Sequence, residues 1–431
     1  MTAAERAEAH IRKKRLLSLS EQFVIPNYEG LSIANVPATL LSLFGIDLPD
    51  NYPTPLPEVF LGDRLDGIEN VILLIIDALG YRRLREILEG DATLFLNRLV
   101  ERGQYFPLTS VFPSTTTAAI TTFATGLPPQ AHGLVGYRLY LKEFGSLANM
   151  IRLSPVGQKQ IDRLDELGFR PERFLGVRTI AEILVTHGVD AYLIIRREYI
   201  SSGLSRMLYG GATALLPAAS AADMFVATRT LLEAQRGRRT FVTLYWEAVD
   251  AIAHRDGPDA KAITAEVRNL SYSLETELVA RLSPKILART LLVVTADHGQ
   301  TEVSAEEAIR VARYPRLKQV LLMPPAGEYR AAYLYAKQGK SGSLKRYLTS
   351  RFNDRLTVLD AETALADGLF GIGASDSKTR DRIGDLIVIA HGPHTFYYPY
   401  GPFDMRGMHG SLTPDEMLVP LLWVRLGHRA D

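Results

Sequence analysis

The chain of 431 residues contains no cysteine. That absence excludes disulfide scaffolds, thiolate zinc sites, cysteine nucleophiles and a formylglycine made from cysteine. It also lacks an excess of either charge, with 49 basic against 48 acidic side chains and a net charge of +1. Nothing electrostatic therefore favours nucleic acid or a membrane surface as a partner. The short basic run Arg12-Lys13-Lys14-Arg15 lies in an amphipathic segment and reads as a solvated helix face. No apolar run approaches the ~20 residues that span a bilayer, so no membrane insertion is expected. The start M-T-A-A-E-R-A-E-A-H has no basic region followed by an apolar one, and the expectation is a cytoplasmic protein. Glycine-rich phosphate cradles are missing too. Gly339-Lys340-Ser341 resembles the tail of a P-loop, but Leu334 stands where its first glycine is required, and no G-x-G-x-x-G follows a strand.

What is present begins at Val71, where V-I-L-L-I-I-D-A-L-G reads as a strand buried on both faces that stops at a carboxylate, Asp77. An Asp there caps the following helix, Tyr81 to Leu88, or lies at the carboxyl end of its strand, where open α/β sheets hold ligands. Two later stretches repeat the arrangement. The strand Phe241 to Trp246 runs into E-A-V-D250-A-I-A-H254, and Leu291 to Thr295 runs into A-D297-H298-G. His409, in R-G-M-H-G-S, stands just ahead of the last apolar strand, Leu418 to Val424.

Strands alternating with helices predict a parallel or mostly parallel sheet with helices on both faces. The first 70 residues read as a helical arm packed on the core, ending in a Pro-rich loop, Asp47 to Pro57. Residues 71–303 and 382–431 form the expected catalytic core, and 304–381 a small α+β insertion of shorter pieces. Within the core, residues 138–230 contribute to the substrate pocket. Only one strand, Ala191 to Ile195, and one helix, Thr179 to His187, are expected in them.

The acids and imidazoles at the strand ends are the ligand types of a catalytic zinc or manganese site, since Asp and His without thiolate suit those ions. Asp250 and His254, four apart, project from one face of a helical turn. Asp297 and His298 are adjacent, so their side chains diverge towards two ions or two sides of one. Two divalent ions against three carboxylates leave positive charge for an ionised hydroxyl and an anionic substrate oxygen, as phosphoryl transfer requires. The Thr-rich stretch Ser114 to Thr117, at a helix start, supplies the hydroxyl, although capping alone also explains such residues.

The set as a whole resembles the alkaline phosphatase superfamily, and within it the type I phosphodiesterase/nucleotide pyrophosphatase family with its phosphonoacetate hydrolase relatives. The matching pieces are V-I-L-L-I-I-D77-A-L-G, F-P-S-T-T-T-A-A-I-T-T-F-A-T-G-L-P-P-Q-A-H-G, V-D250-A-I-A-H254-R-D-G-P, T-A-D297-H298-G-Q and M-H409-G-S-L-T-P-D-E-M-L-V-P-L, in family order. The resemblance implies an alkaline-phosphatase-like fold and two zinc ions. Asp77, Asp297 and His298 would hold one ion together with the nucleophile, and Asp250, His254 and His409 the other. It selects Thr116, rather than Thr115 or Thr117, as a nucleophile that also touches metal. A small-molecule phosphoester is the implied substrate.

Two departures from the family pattern stand out. Tyr137 occupies the position where nucleotide pyrophosphatases carry a phosphoryl-contacting asparagine, and it is the candidate substrate-binding residue. Thr117-Ala118 replaces the F-P-N turn after the nucleophile. His132 belongs to the motif but not to the ligand set, and His391 and His394 are weaker pocket candidates. The implied activity is cleavage of a phosphodiester or pyrophosphate bond through a phosphothreonine. Phosphonate or phosphomonoester hydrolysis on the same site is the alternative, and a catalytically silent metal-binding module is the alternative of another class. The oligomeric state is unknown.

Overall fold

The computed structural model describes residues 2–16, 19–62, 65–401 and 403–427. Parts of the expected N-terminal arm and of the C-terminal core segment therefore lie outside the described residues. Seven strands make the central sheet: β1 (Asn70–Ile76), β2 (Gln104–Thr109), β3 (Asp190–Arg196), β4 (Ala214–Ala218), β5 (Thr240–Trp246), β6 (Thr290–Thr295) and β7 (Leu418–Arg425). Their spatial order is β2-β7-β6-β1-β5-β3-β4. All pairings are parallel except those of β7, which runs against both β6 and β2. The fold is thus the mostly parallel α/β sheet anticipated from the alternation.

Strand β1 is buried along its whole length, so both faces are covered, which is why its sequence is continuously apolar rather than alternating. Register then fixes the site. Ile75 lies opposite Tyr245 of β5 on one side and Thr295 of β6 on the other. The chain leaves all three parallel strands at one level of one sheet edge. Because β7 is antiparallel, the residues that precede it, His409 to Met417, arrive at that same edge. Pro420 of β7 faces Pro107 of β2, but the ladder of β7 with β6 begins one residue later, at Leu421, so the missing N–H interrupts nothing there.

A second seven-stranded sheet joins Leu356–Asp360, Leu386–Ala390, Ala331–Leu334, Ala326–Gly327, Arg138–Leu141, Ser146–Asn149 and Ser154–Pro155, all paired antiparallel. Of the expected core segment 382–431, the strand Leu386–Ala390 instead pairs in this second sheet, between Leu356–Asp360 and Ala331–Leu334. Its five residues are fully buried, and burial on both faces is possible in either sheet, so composition could not choose. Several elements between residues 138 and 230 were missed, among them the second-sheet strands Arg138–Leu141, Ser146–Asn149 and Ser154–Pro155, the helix Gly203–Leu208, and β4. Strand β4 is partly exposed and carries Pro217, as an edge strand tolerates, and the helix Ala221–Ala234 follows it, capped by Ser220.

The N-terminal segment is tied to the core. The helix Ala3–Lys13 begins with a Thr2/Glu5 capping box and lies against β2, burying Ala7 and Ile11. Farther along, Val24 N donates to Leu412 O at 2.8 Å, which fixes the arm beside the segment carrying His409. Among the described residues, no helix is long and apolar enough to cross a membrane.

Candidate active site

The elements bring the candidate ligands to one edge of the sheet. Asp77 follows β1, Asp297 and His298 follow β6, and Asp250 and His254 lie on the helix Ala248–Asp256 that begins just after β5. His409 closes the group ahead of β7. Gly299 is needed between His298 and Gln300, because a Cβ there would collide with the Asp415 carbonyl oxygen and crowd Gly80.

Two groups of ligand atoms converge, each within 4.8 Å: Asp77, Asp297 and His298 in one, and Asp250, His298 and His409 in the other. His298 belongs to both. Its Nε2 is 3.5 Å from Asp77 Oδ1 and 3.3 Å from Asp297 Oδ2. His254 Nε2 stands 3.3 Å from Asp250 Oδ1, and His409 Nε2 lies 3.8 Å from the same oxygen. The His298 and His409 rings stack with centroids 3.8 Å apart.

Each imidazole is oriented from behind. The Nδ1 atoms of His254, His298 and His409 lie 2.7, 2.9 and 3.0 Å from the carbonyl oxygens of Gly407, Gly299 and Ser114. A carbonyl can only accept, so each Nδ1 carries the hydrogen and each Nε2 presents its lone pair to the centre, as a metal-ligating histidine does. Burial, then the neighbouring imidazoles of His298 and His254, hold His409 well below its ordinary pKa and hence neutral.

The carboxylates show what is lacking in the protein alone. Asp77 Oδ1 and Asp297 Oδ2 are buried without a hydrogen-bond partner. A buried anionic oxygen left in that state costs several kcal/mol. Burial, then Asp297 and Asp250, push the Asp77 carboxyl well above the usual carboxylate range. A divalent cation held by these carboxylates and the nearby imidazoles would remove both penalties, so the donor set fits metal.

Thr116 opens the helix Thr116–Thr125, with Oγ1 3.1 Å from His298 Nε2. Its neighbours differ: Thr117 Oγ1 is buried without a partner, and Thr115 is the residue before the first helical turn. In front of Thr116 opens a cavity of about 280 Å³ whose wall includes Tyr137, Arg138, Glu328 and His409. Tyr137 is half-buried there, with its OH accepting from Asn149 Nδ2 at 2.7 Å. Burial pushes the Glu328 carboxyl up to about 7, against the opposing effect of Arg138.

The remaining histidines lie elsewhere. His132 is buried against Thr122 and accepts from Leu134 N, while His391 meets Thr357 and His394 meets Glu307; none lines this cavity. Sequence reasoning missed several supporting groups. The Tyr245 hydroxyl donates to Asp77 Oδ2, and Gln300 Nε2 donates to Asp250 Oδ1 at 2.5 Å. Ser110 Oγ donates to the Asp297 carbonyl at 2.5 Å. The one available signal was a tyrosine hydroxyl near the end of an otherwise apolar strand; Gln300 and Ser110 gave none.

A sequence profile of the type I phosphodiesterase / nucleotide pyrophosphatase family matches residues 71–412. The chain belongs to that family. Among curated proteins it is similar to the human bis(5'-adenosyl)-triphosphatase ENPP4, with 38% identity over 73 residues, 17% of this chain and 16% of the relative. It is also similar to human ectonucleotide pyrophosphatase/phosphodiesterase family member 5, with 27% identity over 187 residues, 43% of this chain and 36% of the relative. The matched stretches thus span well under half of either relative's length. Among solved structures, an inactive threonine-to-alanine form of murine ENPP5 in complex with AMP aligns with TM-score 0.63 at 19% identity, covering 82% of this chain and 87% of that one. Phosphonoacetate hydrolase from Sinorhizobium meliloti 1021, in complex with phosphonoformate, aligns with TM-score 0.61 at 19% identity, covering 86% and 91%. At these identities the likeness speaks for the fold alone.

Proposed function

We propose that this protein is a two-metal phosphohydrolase that cleaves a phosphodiester or pyrophosphate bond through a covalent phosphothreonine on Thr116. The observation that carries the reading is the position of Thr116 Oγ1, 3.1 Å from the one imidazole nitrogen shared by both ligand groups. The family is one of hydrolases, and the inactivity of the threonine-to-alanine ENPP5 variant agrees with a threonine nucleophile.

Asp77, Asp297 and His298 would hold one ion, and Asp250, His254 and His409 the other. Zinc is the best match to this oxygen and imidazole set, with manganese second. Bound there, the ions supply Lewis-acid neutralisation of the charge on the reacting oxygens. The chain does the rest. The helix Thr116–Thr125 aims its positive N-terminus at the threonine oxygen, which favours its ionised form. Three main-chain carbonyls keep the imidazoles in the ligating tautomer. Thr116 Oγ1 attacks phosphorus, the bond to the leaving oxygen breaks, and water then releases the phosphoryl group from the threonine.

Tyr137, in place of an amide, favours a second reading of the same site. A phenol donates one hydrogen bond where an asparagine donates two, so phosphonate or phosphomonoester hydrolysis is also tested. The zinc-loaded full chain should hydrolyse bis(p-nitrophenyl) phosphate, and Thr116→Ala should lose turnover while retaining its metal. A fully metallated protein inactive towards phosphodiesters, phosphomonoesters, sulfates and phosphonates would instead be a binding module.

A further inference from the structure

Three arginine side chains are buried around the second sheet, and they differ in one respect. Arg330 is fully buried and meets Glu416 at 2.7 Å, and Arg382 meets Glu143 at 3.2 Å. Arg138, only 9% exposed, has no carboxylate oxygen within 4.0 Å among the described residues. Glu328, the nearest acid in sequence to its Gly327 contact, accepts from Tyr137 N at 2.7 Å.

Aromatic rings surround the Arg138 cation instead. Its Cζ is 4.3 Å from the ring centroid of Tyr329 and 5.0 Å from those of Tyr137 and Tyr400. Such contacts stabilise a guanidinium through its faces. They do not serve the five N–H donors, which lie in its plane. Among the described residues only one of these has a protein acceptor, Nη1 to Gly327 O at 3.3 Å. The other donors belong to a cation in the wall of the cavity that holds Thr116 and His409. A planar fork with open donors is the group that recognises phosphate and carboxylate in two-point fashion.

We propose that Arg138, stacked among Tyr137, Tyr329 and Tyr400, is a subsite for a second anionic group of the substrate, an oxyanion attached beyond the reacting phosphorus. This deepens the reading of Thr116 as the reacting centre and rests on it. The substrate class is a phosphoryl compound carrying two anionic centres, such as a phosphoanhydride or a carboxylated phosphonate, rather than a diester flanked by neutral groups. The two sources share the oxyanion chemistry, and the experiment separates them.

The zinc-loaded full chain and its Arg138→Leu and Arg138→Lys variants are assayed on ADP, phosphonoacetate and bis(p-nitrophenyl) phosphate. The ratio of kcat/KM for the dianionic substrate over that for the diester should fall ~10–100-fold in Arg138→Leu, the size of a lost charged hydrogen bond. Arg138→Lys, which keeps the charge but not the fork, should recover part of it. A fall confined to ADP identifies a phosphoryl subsite, and one confined to phosphonoacetate a carboxylate subsite. Calorimetric titration gives a second readout: the preference for inorganic pyrophosphate over phosphate should drop at least tenfold in Arg138→Leu. Unchanged ratios in both measurements would overturn the subsite. A wild-type chain that hydrolyses nothing but prefers pyrophosphate through Arg138 would overturn the catalytic reading and leave the subsite standing.

Discussion

The guanidinium of Arg330 meets the carboxylate of Glu416 through two hydrogen bonds, Nε to Oε1 at 2.7 Å and Nη2 to Oε2 at 2.8 Å, with neither side chain exposed. Glu416 also accepts from Ser411 N at 2.9 Å and from Thr413 Oγ1 at 2.6 Å, while Arg330 Nη1 donates to His394 O at 2.6 Å. The pair ties the segment carrying His409 to the second sheet. It gives the G-S-L-T-P-D-E-M sequence after His409 a structural purpose.

Breaking that pair from one side strands a buried charge. Glu416→Leu should destabilise the chain by about 3–5 kcal/mol in urea unfolding, and Arg330→Met paired with Glu416→Leu should be markedly milder than either change alone. A single substitution costing under ~1 kcal/mol would show that the clamp carries no stability.

Tyr245→Phe removes the hydroxyl that donates to Asp77 Oδ2 without changing the packing volume appreciably. Loss of such a supporting group should weaken metal affinity ~10–100-fold. Competition against a zinc chelator measures this, and an unchanged affinity would dissociate Tyr245 from the ligand set.

Metal should stabilise the fold, since it binds the assembled carboxylates and imidazoles far better than the unfolded chain. At a free concentration 100-fold above Kd the gain is ~2.7 kcal/mol. The denaturant midpoint of the chelated protein should rise on adding zinc, and His409→Ala should retain one metal equivalent where the wild type retains two. Equal metal content in the two proteins would remove His409 from the ligands.

Glu328 predicts a pH dependence whose sign follows from its direction of shift. Burial raises its carboxyl from the ordinary 4.5 to about 7 in the folded chain. The folded state therefore holds the proton more tightly than the unfolded one. Its stabilising contribution is complete below pH ~4.5 and is lost as pH rises to about 7, amounting to roughly 3 kcal/mol at ~1.4 kcal/mol per pH unit. In metal-free protein, the stability of wild type relative to Glu328→Gln should decline across that window. A difference that stays flat with pH would place the carboxyl near its ordinary value.

Much of the site was legible because its residues announce themselves locally. A carboxylate at the end of a doubly buried strand conflicts with its surroundings unless it serves a ligand, and Asp77 and Asp297 both stand there. Strand β6, Thr290–Thr295, contains the predicted run Leu291 to Thr295, because an apolar β-branched run between a helix and an acid has few other uses. Strand β4 was missed for the converse reason, being half-exposed, short and broken by Pro217. Tyr245 and Gln300 were not found, since a hydroxyl or an amide is a common surface group and gains meaning only from the carboxylate it faces.

The amino-acid order by itself determined the alternating α/β architecture, the strand ends that carry acids and imidazoles, and a hydroxyl-rich helix start. Local hydrophobic periodicity and the cost of burying charge suffice for those. Only the tertiary structure decided that His298 joins both ligand groups, that each imidazole is held by a main-chain carbonyl, that Leu386–Ala390 belongs to the second sheet, and that Arg138 lies among three tyrosines beside Thr116. Most of those relationships depend on strand order and on register between elements distant in the chain, as β1 is from β5 and β6, and such pairing leaves no local pattern in the sequence.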